Sequence, residues 1–292
     1  MASGSAPDGT DERNGIQTTA TSLDVVEAVR ELDGARTVEV AAELDVAKST
    51  AHKHLQTLLQ RGYLTRVAGE YRIGLKFLDL GEDARRRWPC LSTVREAVTD
   101  LADGTDEDVD FCVAENDRVY TLVESYHKWE KYHEAQAGYR VNLGDSYYMH
   151  SVASGKAILA TCPESTVRAV ADRWGLPAVT ENTITDVDEL LAELEGVRER
   201  GYALSDEEYV LGLRTVSRTV SLPEGQVLGA LSVSGPAYRM TGAVLHDEID
   251  AVLRETAEAL EARIADGYPD KFFGTGAVTP MQDARTSAHS DR

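Results

Sequence analysis

Between Asp45 and Gly62 the chain reads D-V-A-K-S-T-A-H-K-H-L-Q-T-L-L-Q-R-G. At about 100° per residue, Ser49, Lys53, Gln56, Thr57 and Gln60 fall on one helical face. Hydroxyls, amides and an ammonium are the groups that hydrogen-bond base edges in the major groove of DNA. No acid stands among them, although the chain holds 50 acids against 30 bases. The opposite face carries Ala51, Leu55, Leu58 and Leu59 at i, i+4, i+7 and i+8, the stripe of a helix packed on a core. An ordinary amphipathic surface helix has the same pattern, so this segment alone fits a groove reader and a solvated helix equally.

Other chemistry is poorly supported by spacing. His127 and His133 lie six apart with Cys112 upstream, but no C-x-x-C or H-E-x-x-H accompanies them, and no metal site is expected. Gly144-Asp145-Ser146 and Ser154-Gly155-Lys156 match neither a G-x-S-x-G elbow nor a G-x-x-x-x-G-K-[ST] phosphate loop. No catalytic set and no cofactor are expected, and the chain does not read as an enzyme.

Composition bounds the rest. A chain of 292 residues is long enough for two modest domains. No apolar run approaches the ~20 residues that cross a membrane, and the first fifteen residues lack the apolar core of a secretory signal. Cys90, Cys112 and Cys162 are odd in number and far apart, which fits reduced thiols in a cytoplasm. The net charge is −20, and only seven of the 30 bases are lysines. Acid excess with scarce lysine is the composition of a protein kept hydrated in concentrated salt, as in a haloarchaeon. From Asp45 to Trp88, however, nine bases meet five acids, a +4 island that leaves −24 elsewhere. An anionic partner is the simplest reason for such an island.

The elements that must position the polar face follow. Ser22–Leu32 repeats apolar residues at Leu23, Val26, Val29 and Leu32, and Asp33-Gly34 ends that helix. Thr37 can cap a short second helix that stops at Asp45. Three helices in about forty residues, the last two closely joined, have helix-turn-helix spacing. Two β-prone runs, 63–67 and 71–74, flank Ala68-Gly69-Glu70 and predict a hairpin, or wing, carrying Arg66 and Arg72 towards phosphates. The expected organisation is a disordered tail over 1–17 and a winged helix-turn-helix over 18–76. A linker and dimerisation helix follows over 77–103, broken by Pro89, with the Arg85-Arg86-Arg87 run read as a solvated face. An α+β domain with an antiparallel sheet fills 104–267, its last helix running from about Thr241 to Ala265. A disordered tail covers 268–292.

The run K-S-T-A-H-K-H-L-Q-T-L-L-Q-R-G-Y-L, followed by Y-R-I-G-L-K-F-L-D-L-G, closely resembles the N-terminal domain of IclR-type transcription regulators. The resemblance continues through A-S-G-K-A-I-L-A, E-N-T-I-T-D-V-D-E-L, V-R-E-R-G-Y-A-L-S-D-E-E and V-L-G-A-L-S-V-S-G-P-A-Y-R-M-T, covering about residues 20–266 in order. It implies a winged helix-turn-helix, a linker helix and a C-terminal effector-binding domain similar to GAF and PAS sensors. It also implies a dimer or dimer of dimers that controls a catabolic operon in response to a sugar, sugar acid or aromatic acid.

The family's DNA-reading positions fall on Lys48, Ser49, Thr50 and Lys53. Its effector pocket falls near Met149, Ser154 and Gly155, on Ser205-Asp206, on Thr215, and on Ser232 and Ser234. The last two stand two apart, so on a strand both face one side. Ser205 replaces the aspartate that opens the D-D-E-E motif in many relatives, Thr215 replaces a frequent cysteine, and Ala47 replaces the proline that often opens the recognition helix. Each half of a dimer would read one operator half-site in double-stranded DNA, and the effector would shift the balance between two arrangements. Because phosphate contacts weaken in salt, Ser49, Thr50, Lys53 and Gln56 are expected to carry more specificity than the arginines.

Overall fold

The computed structural model describes residues 15–126 and 143–267. The expected N-terminal tail lies outside them up to residue 14, as do the expected C-terminal tail and the pair His127 and His133. The chain divides into two compact units at Arg87/Trp88.

The first unit contains α1 (Gln17–Glu31), α2 (Thr37–Glu43), α3 (Lys48–Gln60), a hairpin of β1 (Leu64–Val67) and β2 (Glu70–Ile73), and α4 (Lys76–Arg86). Ala51 and Leu55 of α3 are fully buried against Val25, Ala28 and Val29 of α1, Val40 of α2 and Tyr71 of β2. The buried face of α1 differs from the expected stripe. Leu23 is 60% exposed and Leu32 39%, while Val25 and Ala28 are buried. Both sets repeat at three or four residues, and the small Ala28, a weak apolar signal, belongs to the packed one. The capping expectation at Thr37 is also corrected. Arg36 is the cap residue, its backbone N–H donating to Glu39 Oε2 at 2.6 Å, and Thr37 is already helical. In the wing, Val67 pairs with Glu70 across a two-residue turn. Ala68 (φ 51°) and Gly69 (φ 92°) are both left-handed there, the backbone whose twist matches a tight hairpin.

The helical stretch over 77–103, expected to break at Pro89, is two helices, and they fall in different units. Pro89 and Cys90, at φ 57°, separate α4 from α5 (Leu91–Thr105). Alpha-5 buries Val94, Ala97, Val98 and Leu101 in the core of the second unit, so it is a core helix there. Alpha-4 buries no residue completely, and Leu75 just before it is exposed together with its Leu78 and Leu80.

Among the described residues the second unit is built on a six-stranded antiparallel sheet. Its strands are β3 (Asp108–Glu115), β4 (Arg118–Ser125), β5 (Ser146–Tyr148), β6 (Ala203–Asp206), β7 (Leu213–Ser221) and β8 (Val227–Pro236), in the order β5-β4-β3-β8-β7-β6. One face packs Val109, Phe111, Val216, Leu231 and Val233 against α5 and α9 (Asp250–Gly267). The last helix was expected to be continuous from Thr241, but Val244–Ile249 is a π-helical turn leading into α9. The other face meets α6 (Ala153–Ala160), with α7 (Glu164–Trp174) and α8 (Val187–Arg200) beyond it. Strand alternation sends the small and polar residues Asp110, Cys112, Ser217, Ser232 and Ser234 to this second face. The protein is thus α+β, with a helix-turn-helix unit followed by a sheet-and-helix domain.

Candidate functional site

On α3 the side chains of Lys48, Ser49, Lys53 and Thr57 are exposed, and Thr50 is half-buried. Ser49 and Lys53 stand one helical turn apart and free of the core, where hydroxyl and ammonium can meet base edges. The Thr57 hydroxyl donates back to the Lys53 carbonyl at 2.9 Å. Gln56 departs from its expected outward position. It is half-buried and its Nε2 donates to the Tyr71 hydroxyl at 2.7 Å, which joins the helix to the wing. Helical projection gave its direction from the axis but not the hairpin that covers it. His54 Nδ1 lies 2.8 Å from the Ser22 hydroxyl, a second tie, this one to α1.

The two wing arginines are not equivalent. The Arg66 guanidinium rests over the Tyr71 ring at 5.3 Å, which leaves its N–H groups available at the rim. Arg72 lies 3.5 Å from Glu70 and packs over Gly34, where a Cβ would come within 3.2 Å of its side chain. Arg86 pairs with Asp83 at 2.6 Å in solvent, as a solvated face does, but Arg85 is largely buried, pairing with Glu82 at 3.1 Å while its Nε has no hydrogen-bond partner among the described residues.

In the second unit the polar sheet face encloses a cavity of about 30 Å³. Asp110 and Cys112 of β3, Thr215 of β7, and Ser232 and Ser234 of β8 form its floor. Ser154 of α6, Tyr147 of β5, Ser205 of β6 and Leu213 at the start of β7 form its sides, and Tyr209 and Val210 close it from the β6–β7 connection. Five of the eight residues expected here therefore line one cavity: Ser154, Ser205, Thr215, Ser232 and Ser234. Three do not. Met149 is buried in the adjoining core. Gly155 packs under it, where a Cβ would meet the Met149 carbonyl oxygen at 2.2 Å. Asp206 points outward and pairs with Arg214 at 2.5 Å, because residues 205 and 206 alternate across the strand.

The lining is a hydrogen-bonded set. Thr215 Oγ1 and Ser234 Oγ are 2.9 Å apart. Ser232 donates to Ser217 at 3.0 Å, and Ser217 donates to the Leu231 carbonyl at 3.1 Å. The Cys112 thiol donates to Asp110 Oδ1 at 3.1 Å. Burial pushes the Asp110 carboxyl up to about 6, against the opposing pull of the Cys112 thiol and the neighbouring Ser232 hydroxyl. Burial and the adjacent Asp110 charge drive the Cys112 thiol well above its usual range, so it is an inert thiol.

Asp110, Cys112, Tyr147 and Tyr209 were not among the expected residues. The signal for Asp110 was present: an acid inside an apolar strand, D-V-D-F-C-V, on the face opposite Val109 and Phe111. What sequence lacked was the neighbour relation, since β3 pairs with the distant β8 and places Asp110 opposite Ser232.

Family models match the chain twice: the IclR helix-turn-helix domain over residues 20–68, and the C-terminal domain of bacterial IclR transcriptional regulators over residues 86–262. A probable HTH-type transcriptional regulator from Halobacterium salinarum, ArcR, is 27% identical over 251 residues, spanning 85% of this chain and 94% of that one. The crystal structure of the Thermotoga maritima IclR is 25% identical and covers 86% of this chain and 99% of its own, with a TM-score of 0.65. A double mutant of the inducer-binding domain of the Acinetobacter transcription factor PobR, in complex with 3-hydroxybenzoic acid, is 25% identical. It covers 58% of this chain and 96% of its own, with a TM-score of 0.54.

Proposed function

The chain belongs to the IclR family of transcription regulators, and we propose that it controls a catabolic operon by binding a small metabolite in the second unit. It is a DNA-binding regulator with an effector domain, not an enzyme. One observation carries the finer reading: the chain that presents Ser49 and Lys53 on an exposed acid-free face also encloses a hydroxyl-lined cavity. A cavity with convergent polar groups inside an otherwise apolar domain is what a ligand site requires.

Lys48, Ser49, Thr50 and Lys53 read base edges, Arg66 neutralises phosphate, and Gln56 and Arg72 hold the wing in place. The protein acts in the cytoplasm of a salt-adapted cell as a homodimer or dimer of dimers on a palindromic operator. The exposed Leu75, at the start of α4, and Leu78 and Leu80 within it support assembly, because three such leucines close together are costly to leave in water. Bound metabolite shifts the equilibrium between operator-competent and operator-incompetent arrangements. Genome-wide mapping of bound sites tests this reading. Sites upstream of a catabolic operon, released on feeding one metabolite, are expected; binding spread evenly along the genome would refute it.

A further inference from the structure

The cavity on the polar sheet face is shut. Its space of about 30 Å³ is far below the roughly 300–1,000 Å³ of a site that holds a small molecule. A metabolite therefore enters only when part of the lining moves. The floor is a strand ladder, and every residue of α6 is buried. The connection 207–212 between β6 and β7 is different. It belongs to no strand or helix, yet it puts Tyr209 and Val210 on the cavity. The Tyr209 ring meets the Tyr147 ring edge-on, with centroids 5.1 Å apart.

The ends of this connection are bonded to each other. The Gly212 N–H donates to Glu207 Oε2 at 2.7 Å, and the Glu207 N–H donates to the Leu213 carbonyl at 3.0 Å. Both end residues are left-handed, Glu207 at φ 59° and Gly212 at φ 85°. A few residues at the ends of a moving segment absorb its backbone rotation. What pins the segment down is Glu208. Its carboxylate takes the Lys156 ammonium at 2.7 Å, and its carbonyl accepts from the Thr183 hydroxyl at 2.6 Å. Only 1% of the Lys156 side chain is exposed, so parting the two would leave a buried ammonium without a counterion. Glu193 of α8 lessens that obstacle. It stands 3.6 Å from the same ammonium and holds Arg200 at 2.6 Å. The ammonium can close onto Glu193 as Glu208 leaves for water.

We propose that residues 207–212 are a flap over the effector cavity and that Lys156 is its latch, paired with Glu208 when the flap is shut and with Glu193 when it is open. Lys156 and Glu193 are positioning residues: they set how often the cavity opens and touch no ligand. This rests on the cavity being the effector site.

Cys112 reports the opening. Its thiol is buried in the cavity floor, so methyl methanethiosulfonate reaches it only through the flap or through unfolding of the whole domain. Urea separates the two routes. Global unfolding accelerates steeply with denaturant, whereas a local opening that exposes little surface hardly responds. The full chain is labelled in molar KCl at several urea concentrations below each protein's transition, and the peptide that holds Cys112 is followed by mass spectrometry. A rate nearly independent of urea is expected. Lys156→Met should raise it about tenfold or more, as loss of a hydrogen bond to a charged group does. Glu193→Gln should lower it. The opposite signs decide, because loss of a merely structural charge would speed labelling in both variants. Acceleration by Glu193→Gln overturns the proposal. So does labelling that climbs with urea as steeply as unfolding, or no labelling in any protein. Should Lys156→Met not fold, Glu208→Gln takes its place, and an unchanged rate there counts against the latch. Any of these failures leaves the effector reading standing; that reading falls when no metabolite releases the mapped sites.

Discussion

Lys156 and Glu208 meet inside the second unit, with the ammonium 2.7 and 2.9 Å from the two carboxylate oxygens. Both side chains are buried, and Glu193 stands 3.6 Å from the same ammonium. The pair joins α6, which brings Ser154 to the cavity, to the connection that brings Tyr209 and Val210. Removing one partner leaves an uncompensated buried charge. Lys156→Met and Glu208→Gln should therefore each cost about 3–5 kcal/mol in urea unfolding. The double variant should recover part of that loss. Additive losses would show that the two residues do not act as a pair.

Asp110 should make the protein less stable as pH rises. Its carboxyl is raised to about 6 when folded, above the ordinary 3.9, so the folded state binds the proton more tightly. The penalty is absent below the unfolded value and complete above the folded one. His150 works in the opposite direction. Burial lowers it to about 4 as its Nε2 meets the Pro177 carbonyl at 3.1 Å, so stability is lost as pH falls from about 6.5. Comparison with Asp110→Asn isolates the first effect. The variant should be more stable at pH 8 by roughly 2–3 kcal/mol, and the difference should vanish by about pH 4. A difference independent of pH would refute the assignment.

Gly155 supports the cavity from behind. A Cβ there would meet the Met149 carbonyl oxygen at 2.2 Å and its Cα at 2.6 Å, both backbone atoms. Gly155→Ala should destabilise by about 1–3 kcal/mol, the range for overpacking. It should also displace Ser154 and so weaken ligand binding. A fully stable variant with unchanged ligand affinity would show that α6 has room to slide.

Salt should separate the two kinds of DNA contact. Lys53→Ala should weaken specific operator binding about 5- to 150-fold even in molar KCl, because a lost base contact costs about 1–3 kcal/mol whatever the salt. Arg66→Ala should matter at low salt and little in molar KCl, as phosphate contacts do. Binding isotherms at several KCl concentrations that show equal losses for both variants would end this division of labour.

The recognition helix was legible in sequence because its apolar and polar residues repeat at the helical period. Its core residues Ala51 and Leu55 are those the period selects. The hairpin was legible from Ala68-Gly69 between two β-prone runs. In the cavity, Ser232 and Ser234 were readable from strand alternation, and alternation should also have separated Ser205 from Asp206. Met149 and Gly155, named from the family resemblance, lie beside the cavity rather than in its lining, because the resemblance gives a position along the chain and not a side chain's direction. Asp110 was missed because its importance comes from a strand pairing between distant segments. The break at Pro89 was legible, but that it parts two units was not, because α4 and α5 share a helical period while packing in separate places.

The bond from Gln56 to Tyr71 has a consequence for how the operator preference of this protein can be altered. It fixes the recognition helix to the hairpin through one amide and one phenol, while the Tyr71 ring also carries Arg66. A grafted helix that lacks Gln56 would release Tyr71 and, with it, the seat of Arg66. Substitutions on helix and wing will thus not combine independently, and because Tyr71 also pairs with Ala35 and His54 with Ser22, a transplant has to carry α1 and α2 along with helix and wing.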